Sequence, residues 1–202
     1  MQPLDELVST ILSQNTNDAN RDRAYQALRA RFPTWEAVRD ADLEAVVEAI
    51  RPAGLANRKA PRLQNLLREI TRERGGLSLD FLVGLTGEAA RQWLTQFNGV
   101  GPKTAAIVLL FSLGKPAFPV DTHIYRVSGR LGLRPPKMSA EQAHTHLAGL
   151  FPPETYTAAH LNLIRLGREV CQARRPNCPL CPLQSLCDYY RNNYSQAGEA
   201  LA

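Results

Sequence analysis

The chain has 202 residues, enough for one large domain or two small ones with a core that needs no disulfide bonds. Its 44% hydrophobic and 21% charged residues are ordinary for a globular protein, and no segment approaches the roughly 20 consecutive apolar residues that span a bilayer. The opening residues, MQPLDEL, carry acids where a signal peptide carries basic residues, so we expect an intracellular protein of the cytoplasm or nucleoid with no membrane partner.

Positive charge is concentrated in the second half of the chain. Residues 91–191 hold 12 Lys and Arg against 5 Asp and Glu, whereas residues 1–90 hold 12 against 13. Such an excess fits a polyanionic partner such as nucleic acid, although charge alone is equally typical of a soluble basic surface. Only four of the 24 basic residues are lysines, so chemistry that needs an amine has few candidates: Lys59, Lys103, Lys115 and Lys137.

Helical periodicity runs along almost the whole sequence. Apolar residues from Leu4 to Leu12 recur at three- and four-residue spacing, as in the buried stripe of a helix. Asp18 is a suitable N-cap for the next helix, and Pro52, Gly54 and Pro61 are expected to interrupt the helices around them. The further predicted helices cover residues 18–32, 34–38, 41–50, 63–70, 80–85, 87–97, 104–113, 122–131, 140–151 and 154–170. No segment alternates with a two-residue period, so the predicted fold class is all-α.

A proline-marked segment, Lys115–Pro119, divides the predicted helices into two groups. We therefore expect a first domain over residues 4–115 and a second over residues 116–202. Few residues separate the groups, so the expected arrangement is two packed lobes with a cleft between them.

All four cysteines fall within 17 residues, at Cys171, Cys178, Cys181 and Cys187. Two disulfides are one interpretation, but intracellular proteins with a sizeable core rarely use them. Four thiolates also suit zinc, whose structural sites usually have two separated C-x-x-C pairs. Here one close pair has a single cysteine on either side, which favours a [4Fe–4S] cluster, with one thiolate per iron, over zinc.

The loop between the first two cysteines carries Arg174 and Arg175. Because ligands would hold both its ends, its guanidinium groups are suited to contact phosphate. The alternative is a solvated basic loop.

Residues 97–104, FNGVGPKT, lie between two predicted helices. Gly99 and Gly101 permit positive φ in a tight turn, and Pro102 suits the first turn of the next helix. The unpaired amides of that turn would attract a phosphate. The segment resembles a helix–hairpin–helix motif, which holds the DNA backbone without reading sequence, and Thr104 completes it.

Lys103 would lie in the first turn of that helix, where the helix dipole and partial burial both disfavour an ammonium ion. A free amine is the nucleophile that forms a Schiff base with a sugar; the alternative is a charged lysine paired with phosphate. Asp121 is a predicted N-cap that could also assist such a lysine as a carboxylate. His123 is either a packing residue or a phosphate contact.

Together these features resemble the endonuclease III family of DNA glycosylases, within the helix–hairpin–helix superfamily. The resemblance extends from about Leu7 to Tyr189 and is anchored on Gly99–Ala105, Val120–His123 and the cysteine pattern. It implies a six-helix barrel domain that carries the hairpin and a second lobe that holds a [4Fe–4S] cluster on the four cysteines. It also implies a monomer that binds damaged, double-stranded DNA between the lobes.

The family resemblance further implies a reaction. Family members flip out a damaged base, usually an oxidised pyrimidine, and a lysine matching Lys103 attacks C1′ of its sugar with help from an aspartate matching Asp121. The Schiff base then permits β-elimination, which nicks the strand. The implied function is base excision repair by a bifunctional DNA glycosylase with abasic-site lyase activity.

Two more segments resemble family elements near the lesion. Gln14 and Asn15 match residues that fill the gap left by the flipped nucleotide and contact the partner base, since an amide offers both a donor and an acceptor. Leu55 matches a leucine that wedges into the base stack; the alternative is a core residue. Lys59 nearby is expected to contact a phosphate.

The sequence also departs from the family pattern. Asn15 stands where a longer Gln is common, and Ala53 and Ala56 are small beside the wedge. An N-terminal helix that normally packs on the cluster lobe is expected to be missing. These departures leave open a lesion-binding protein of the same fold with weak or no catalysis. Two more interpretations stay open: an adenine or mismatch glycosylase, whose members generally lack the lysine, and a zinc-stabilised nucleic-acid adaptor.

Overall fold

The computed structural model describes residues 1–194, and within them every regular element is helical. The all-α prediction is therefore confirmed. Seven α-helices come first: α1 Pro3–Leu12, α2 Asp18–Arg31, α3 Trp35–Asp40, α4 Leu43–Ile50, α5 Ala56–Arg74, α6 Gly87–Thr95 and α7 Pro102–Phe111. Four follow: α8 Thr122–Leu131, α9 Ala140–Ala148, α10 Tyr156–Glu169 and α11 Asp188–Tyr194. Short 3₁₀ turns lie at Arg51–Ala53, Asp80–Gly84, Pro153–Thr155, Cys178–Leu180 and Gln184–Leu186.

The chain folds as two compact units, Met1–Lys115 and a second that begins at Pro116. Residues 195–202, which the sequence assigns to the second domain, lie outside the described residues. No helix of the described part of the chain is long and apolar enough to cross a membrane.

The first unit is built around the apolar stripe of α1. The predicted residues Leu4 to Leu12 include Leu7, Val8 and Ile11, all with no exposed surface, and α1 packs on α7 and α2. Four of the surrounding helices begin at a residue whose side chain accepts a hydrogen bond from an amide of the first turn and so caps the helix. These caps are Asn17, Thr34, Asp42 and Thr86. The cap of α2 is thus Asn17, one residue before the predicted Asp18.

Helix α5 differs from its prediction. It begins at Ala56 and runs through Pro61, which local sequence predicts to interrupt it. Pro61 removes one amide donor, but the helix continues because its apolar face, including Leu63, Leu67 and Ile70, is completely buried. The segment predicted as a helix at 80–85 is a 3₁₀ turn, Asp80–Gly84.

The second unit packs α8 against α10. The segment before α8 is held by histidines: Nδ1 of His160 lies 3.0 Å from the carbonyl oxygen of Pro119, and Nδ1 of His144 lies 3.0 Å from that of Phe118. Phe118 stacks on Phe151, with 5.2 Å between ring centroids. Helix α11 is absent from the sequence predictions, because its residues are polar or tyrosine and none is buried, so no apolar stripe marks it.

Candidate functional site

A tight hairpin joins α6 to α7. The amide of Val100 donates to the carbonyl of Phe97 (N···O 3.1 Å), and Gly99 between them has a φ of +89°. A Cβ at Gly99 would collide with Cδ of Arg62, so a side chain of α5 packs directly on the hairpin. The backbone conformation at Gly99 favours glycine, and any larger residue would also displace the Arg62 side chain.

Gly101 differs from its prediction, because its φ of −89° is one that any residue adopts. Positive φ is thus needed at one of the two hairpin glycines. A Cβ at Gly101 would meet no atom of the protein within 4 Å, so this side of the backbone is open. What glycine offers here is room for a ligand to approach the backbone closely.

Helix α7 begins at Pro102, and its first-turn amides lack intrahelical acceptors. The side chain of Lys103 lies in this first turn and is half-buried. Thr104 is only 5% exposed, so most of the residue is buried, and its contact with DNA stays a prediction. The start of α7 therefore presents backbone donors beside one amine, the arrangement expected of an anion site.

Asp121 is the N-cap of α8. Its Oδ1 accepts a hydrogen bond from the amide of Ile124 (2.7 Å), which confirms the capping prediction. A carboxylate has two oxygens and several acceptor positions, so capping is compatible with a second role at a substrate.

His123 lies in the first turn of α8 and packs against α10. A Cβ at Gly167 would stand 2.9 Å from Cβ of His123, and Nδ1 of His123 is 3.1 Å from Nη2 of Arg126. Arg126 donates in turn to the carbonyls of Gly167 and Cys171 (2.8 and 3.0 Å). These contacts support the packing interpretation of His123, and its contact with phosphate stays a prediction.

The loop after α1 carries the two residues expected to contact the partner base. The amide nitrogen of Gln14 donates to the carbonyl of Gly99 (3.2 Å), and its oxygen lies 3.5 Å from Nη1 of Arg62. Gln14 is therefore engaged with the hairpin. Asn15 is exposed and has a φ of +55°. Of the two, Asn15 has the side chain that is open to a ligand.

The loop before α5 carries the predicted wedge. Leu55 is 48% exposed, so the alternative that it is a core residue is wrong. Gly54 and Leu55 both have positive φ, +68° and +52°, which turns the chain sharply into α5. An exposed leucine at the tip of such a turn is suited to insert into an apolar stack.

Lys59 does not fit the expectation that it contacts a phosphate. Its side chain is 4% exposed, and Nζ donates to the carbonyls of Leu12 and Ala53, both at 2.8 Å. Burial lowers the pKa of this amine from its ordinary value. Because the ammonium donates to backbone carbonyls inside the protein, we interpret Lys59 as a structural residue of the first unit and not as a DNA contact.

The four cysteines line one apolar cavity of the second unit, and all four are free thiols, so the disulfide alternative is not supported. Burial raises the pKa of the Cys178 thiol, and the neighbouring cysteines Cys171, Cys187 and Cys181 raise it further. Within residues 1–194, no three His, Cys, Asp or Glu side chains stand close enough together to hold a metal ion without movement.

Arg130 of α8 organises the loop that carries the two predicted phosphate contacts. It donates to the carbonyls of Gln172 and Ala173 (2.7 and 2.8 Å) and to Sγ of Cys171 (3.3 Å). Arg174 and Arg175, the next two residues, are exposed. The loop backbone is thus held from one side while its two guanidinium groups are available to a ligand, although contact with phosphate stays a prediction.

Sequence reasoning missed Arg62 and Arg130 as organising residues. Arg62 packs on Gly99 and approaches Gln14, and Arg130 reaches across to the cysteine loop. The partners of Arg62 lie 37 and 48 residues away in the sequence, and those of Arg130 lie 41 to 43 residues away. No local pattern could have identified them among the many arginines of the chain.

Comparison with known proteins places the chain in a family. Residues 8–153 match the family described as HhH-GPD superfamily base excision DNA repair protein. Endonuclease III of Sulfolobus acidocaldarius is 33% identical over 189 residues, which cover 93% of this chain and 82% of that protein. Endonuclease III of Thermotoga maritima is 32% identical over 189 residues, 94% of this chain and 84% of that protein.

A putative DNA glycosylase of Arabidopsis thaliana is 42% identical over 151 residues, but this chain spans only about half of its length, 52%. A solved structure of a non-covalent endonuclease III–DNA complex superimposes with a TM-score of 0.83 at 31% identity, covering 95% of this chain and 86% of that one. A trapped covalent endonuclease III–DNA intermediate superimposes with a TM-score of 0.81 at 30% identity, with 95% and 86% coverage. The chain belongs to the HhH-GPD superfamily of base excision DNA repair proteins and, within it, to the endonuclease III family.

Proposed function

We propose that the protein is a bifunctional DNA glycosylase with abasic-site lyase activity, acting as a monomer in the cytoplasm or nucleoid on oxidised pyrimidines in double-stranded DNA. The observation that carries this proposal is a half-buried lysine, Lys103, in the first turn of α7, directly after a hairpin whose backbone is open at Gly101. Membership of the endonuclease III family supports the same reaction class.

The hairpin has the task of holding the DNA backbone. Amides of the first turn of α7 donate to a phosphate without reading the base sequence, and the helix dipole favours the negative charge. The open face at Gly101 lets the phosphate approach. This grip leaves Lys103 next to the sugar of the nucleotide that is extruded.

Lys103 is the proposed nucleophile. Its neutral amine attacks C1′ of the flipped nucleotide, a C–N bond forms, and the bond from C1′ to the base breaks as the base leaves with the electron pair and gains a proton. Ring opening then gives a Schiff base. Loss of a proton from C2′ expels the 3′ phosphate by β-elimination, which nicks the strand.

Asp121 is the proposed carboxylate of the reaction. Its carboxylate stabilises the positive charge that develops at C1′ of the sugar, and it accepts the proton that the amine loses. The proposal requires Lys103 and Asp121 to reach the same deoxyribose in the DNA complex. Anchoring Asp121 as the cap of α8 fixes the direction of its carboxylate.

The four cysteines are the proposed ligands of a [4Fe–4S] cluster, which members of the endonuclease III family generally carry. Four thiols on one apolar cavity, with no histidine or carboxylate among the described residues that line it, fit the donor set of such a cluster. The bound cluster would join the short turns of residues 171–187 as a structural staple. Arg130 would then steady the first ligand loop through its contacts with Cys171 and the carbonyls beside it.

Borohydride trapping tests the nucleophile. The wild-type protein is expected to form a covalent complex with abasic duplex DNA when borohydride reduces the Schiff base, and Lys103→Gln is expected to abolish that complex while retaining affinity for the duplex. Lys115→Gln is the matched control, since it removes a lysine of the same unit outside the hairpin. Equal trapping by Lys103→Gln and the wild type would show that another amine attacks.

A panel of duplexes then tests the substrate. We expect release of oxidised pyrimidines followed by strand nicking, and no release of adenine opposite oxidised guanine. Binding of lesion duplexes with no release of any base and no nicking of abasic DNA would instead identify a lesion-binding protein.

A further inference from the structure

Two residues of the first unit hold unusual backbone conformations. Within the described residues, Asn15 and Leu55 are the non-glycine residues with positive φ, +55° and +52°. L-residues avoid this region, and they remain there where neighbouring contacts hold the backbone in place. Both side chains are exposed, and they lie in two different loops, one after α1 and one before α5.

One buried side chain connects these two loops. Nζ of Lys59 donates to the carbonyl of Leu12, the last residue of α1, and to the carbonyl of Ala53, just before Gly54 and Leu55. The backbone amide of Lys59 also donates to the carbonyl of Leu55 (2.9 Å). That amide bond belongs to the first turn of α5, whereas the side chain of Lys59 itself joins the end of α1, where the loop of Asn15 starts, to the residue before Gly54.

An ammonium group is well suited to this position. The last carbonyls of a helix have no intrahelical donor, and the negative end of the helix dipole favours a cation there. Leu12 ends α1, and Ala53 ends the turn Arg51–Ala53. An apolar side chain at residue 59 would leave both buried carbonyls without a partner.

We propose that Lys59 is a positioning residue that couples the wedge loop of Leu55 to the partner-base loop of Asn15, so that the two act on a lesion as one surface. The coupling is a property of the free protein. Its consequence for DNA rests on the proposed function, in which Leu55 opens the base stack and Asn15 occupies the gap.

The chain offers a matched control for this proposal. Nζ of Lys115 also donates to two backbone carbonyls of the first unit, those of Val83 and Leu85 (2.9 and 2.5 Å), outside both loops. Lys59→Met and Lys115→Met both remove an ammonium that donates to two backbone carbonyls, but the bonds of Lys59 are buried and join the loops of Asn15 and Leu55, whereas those of Lys115 are more exposed and join neither loop.

Hydrogen exchange of the free protein tests the coupling without DNA. Hydrogen-bonded amides lie in or directly beside both loops, at Gln14 and Thr16 after α1 and at Gly54 and Arg58 around Leu55. Lys59→Met is expected to speed exchange at these amides in both loops by about tenfold, and Lys115→Met to leave them unchanged. Acceleration in one loop alone, or in neither, would overturn the proposal. If Lys59→Met does not fold, Lys59→Gln, which keeps an N–H donor, is expected to give the same pattern with a smaller acceleration.

A double-mutant cycle tests the consequence for DNA. The readout is the fluorescence of 2-aminopurine placed opposite a stable abasic-site analogue, which rises when the wedge unstacks that base. Leu55→Ala is expected to weaken analogue binding about tenfold in the wild type but less than twofold in Lys59→Met, because an unanchored wedge contributes little. Equal losses in both backgrounds would refute the coupling. If the wild type itself does not prefer the analogue to intact duplex, the proposed function fails, while the exchange experiment still decides the coupling.

Discussion

Substitutions at Asp121 can separate its structural role from its chemical one. Its Oδ1 accepts the hydrogen bond of the Ile124 amide at 2.7 Å, so the side chain caps α8 whatever else it does. Asparagine caps a helix about as well as aspartate but carries no charge, whereas alanine provides neither the cap nor the charge. Asp121→Asn and Asp121→Ala therefore differ in folding much more than in catalysis.

The magnitudes follow from the cap. The capping hydrogen bond contributes about 1 kcal/mol of unfolding free energy, which for a chain of this size corresponds to about 2–4 °C in Tm, and Asp121→Ala loses this in addition to the interaction of the charge with the α8 dipole. Asp121→Asn loses only the interaction of the charge with the α8 dipole, about 0.3–1 kcal/mol. Both variants lose the carboxylate, so both are expected to lose base release by about a hundredfold or more.

Thermal unfolding and single-turnover base release on an oxidised-pyrimidine duplex measure the two effects. Asp42 is the matched control, because it caps α4 by the same interaction with the amide of Ala45 (3.2 Å). Asp42→Ala should lower the Tm as Asp121→Ala does, and Asp42→Asn should keep full activity. If Asp121→Asn releases the base at the wild-type rate, Asp121 is a helix cap with no chemical role.

Two further predictions concern DNA binding. Gly99→Ala is expected to lower the Tm because of its φ of +89° and the contact with Arg62. Gly101→Ala should retain the Tm and lose affinity for duplex DNA, since its new methyl group occupies the open face. Thermal denaturation and DNA-binding titrations measure both effects, and a Gly99→Ala protein that is as stable and binds DNA as tightly as the wild type would contradict the role given to the hairpin. Replacing Arg174 and Arg175 by alanine is expected to weaken binding of all duplexes alike and to reduce the slope of log affinity against log salt by about 1 per lost phosphate contact, and an unchanged slope would indicate a solvated loop.

The sequence is sufficient to predict elements whose cause is local. The apolar stripe of Leu4 to Leu12 predicts α1, and all its members are buried in the structure. Pro61 shows the limit of such reasoning: proline disfavours a helix interior by about 3 kcal/mol, yet burial of the apolar face of α5 outweighs that penalty. Helix α11 lacks a pattern because it buries none of its residues.

Side chains whose partners are distant in sequence are harder to predict. Lys59 lies beside the wedge and carries a charge, so a phosphate contact is a reasonable expectation from sequence, but its carbonyl partner Leu12 is 47 residues away. Gln14 likewise bonds to Gly99, 85 residues away. Asp121 is predictable as a cap because its acceptor role depends on the next three residues alone.

The identity of the attacking amine is the central claim, and mass spectrometry of the trapped complex tests it most directly. After borohydride reduction on abasic duplex DNA, nuclease and protease digestion should leave one peptide that carries the reduced sugar fragment. We expect the fragment on Lys103 in the first turn of α7. A fragment on Lys59, Lys115, Lys137 or the N-terminal amine, with Lys103 unmodified, would contradict the proposed reaction.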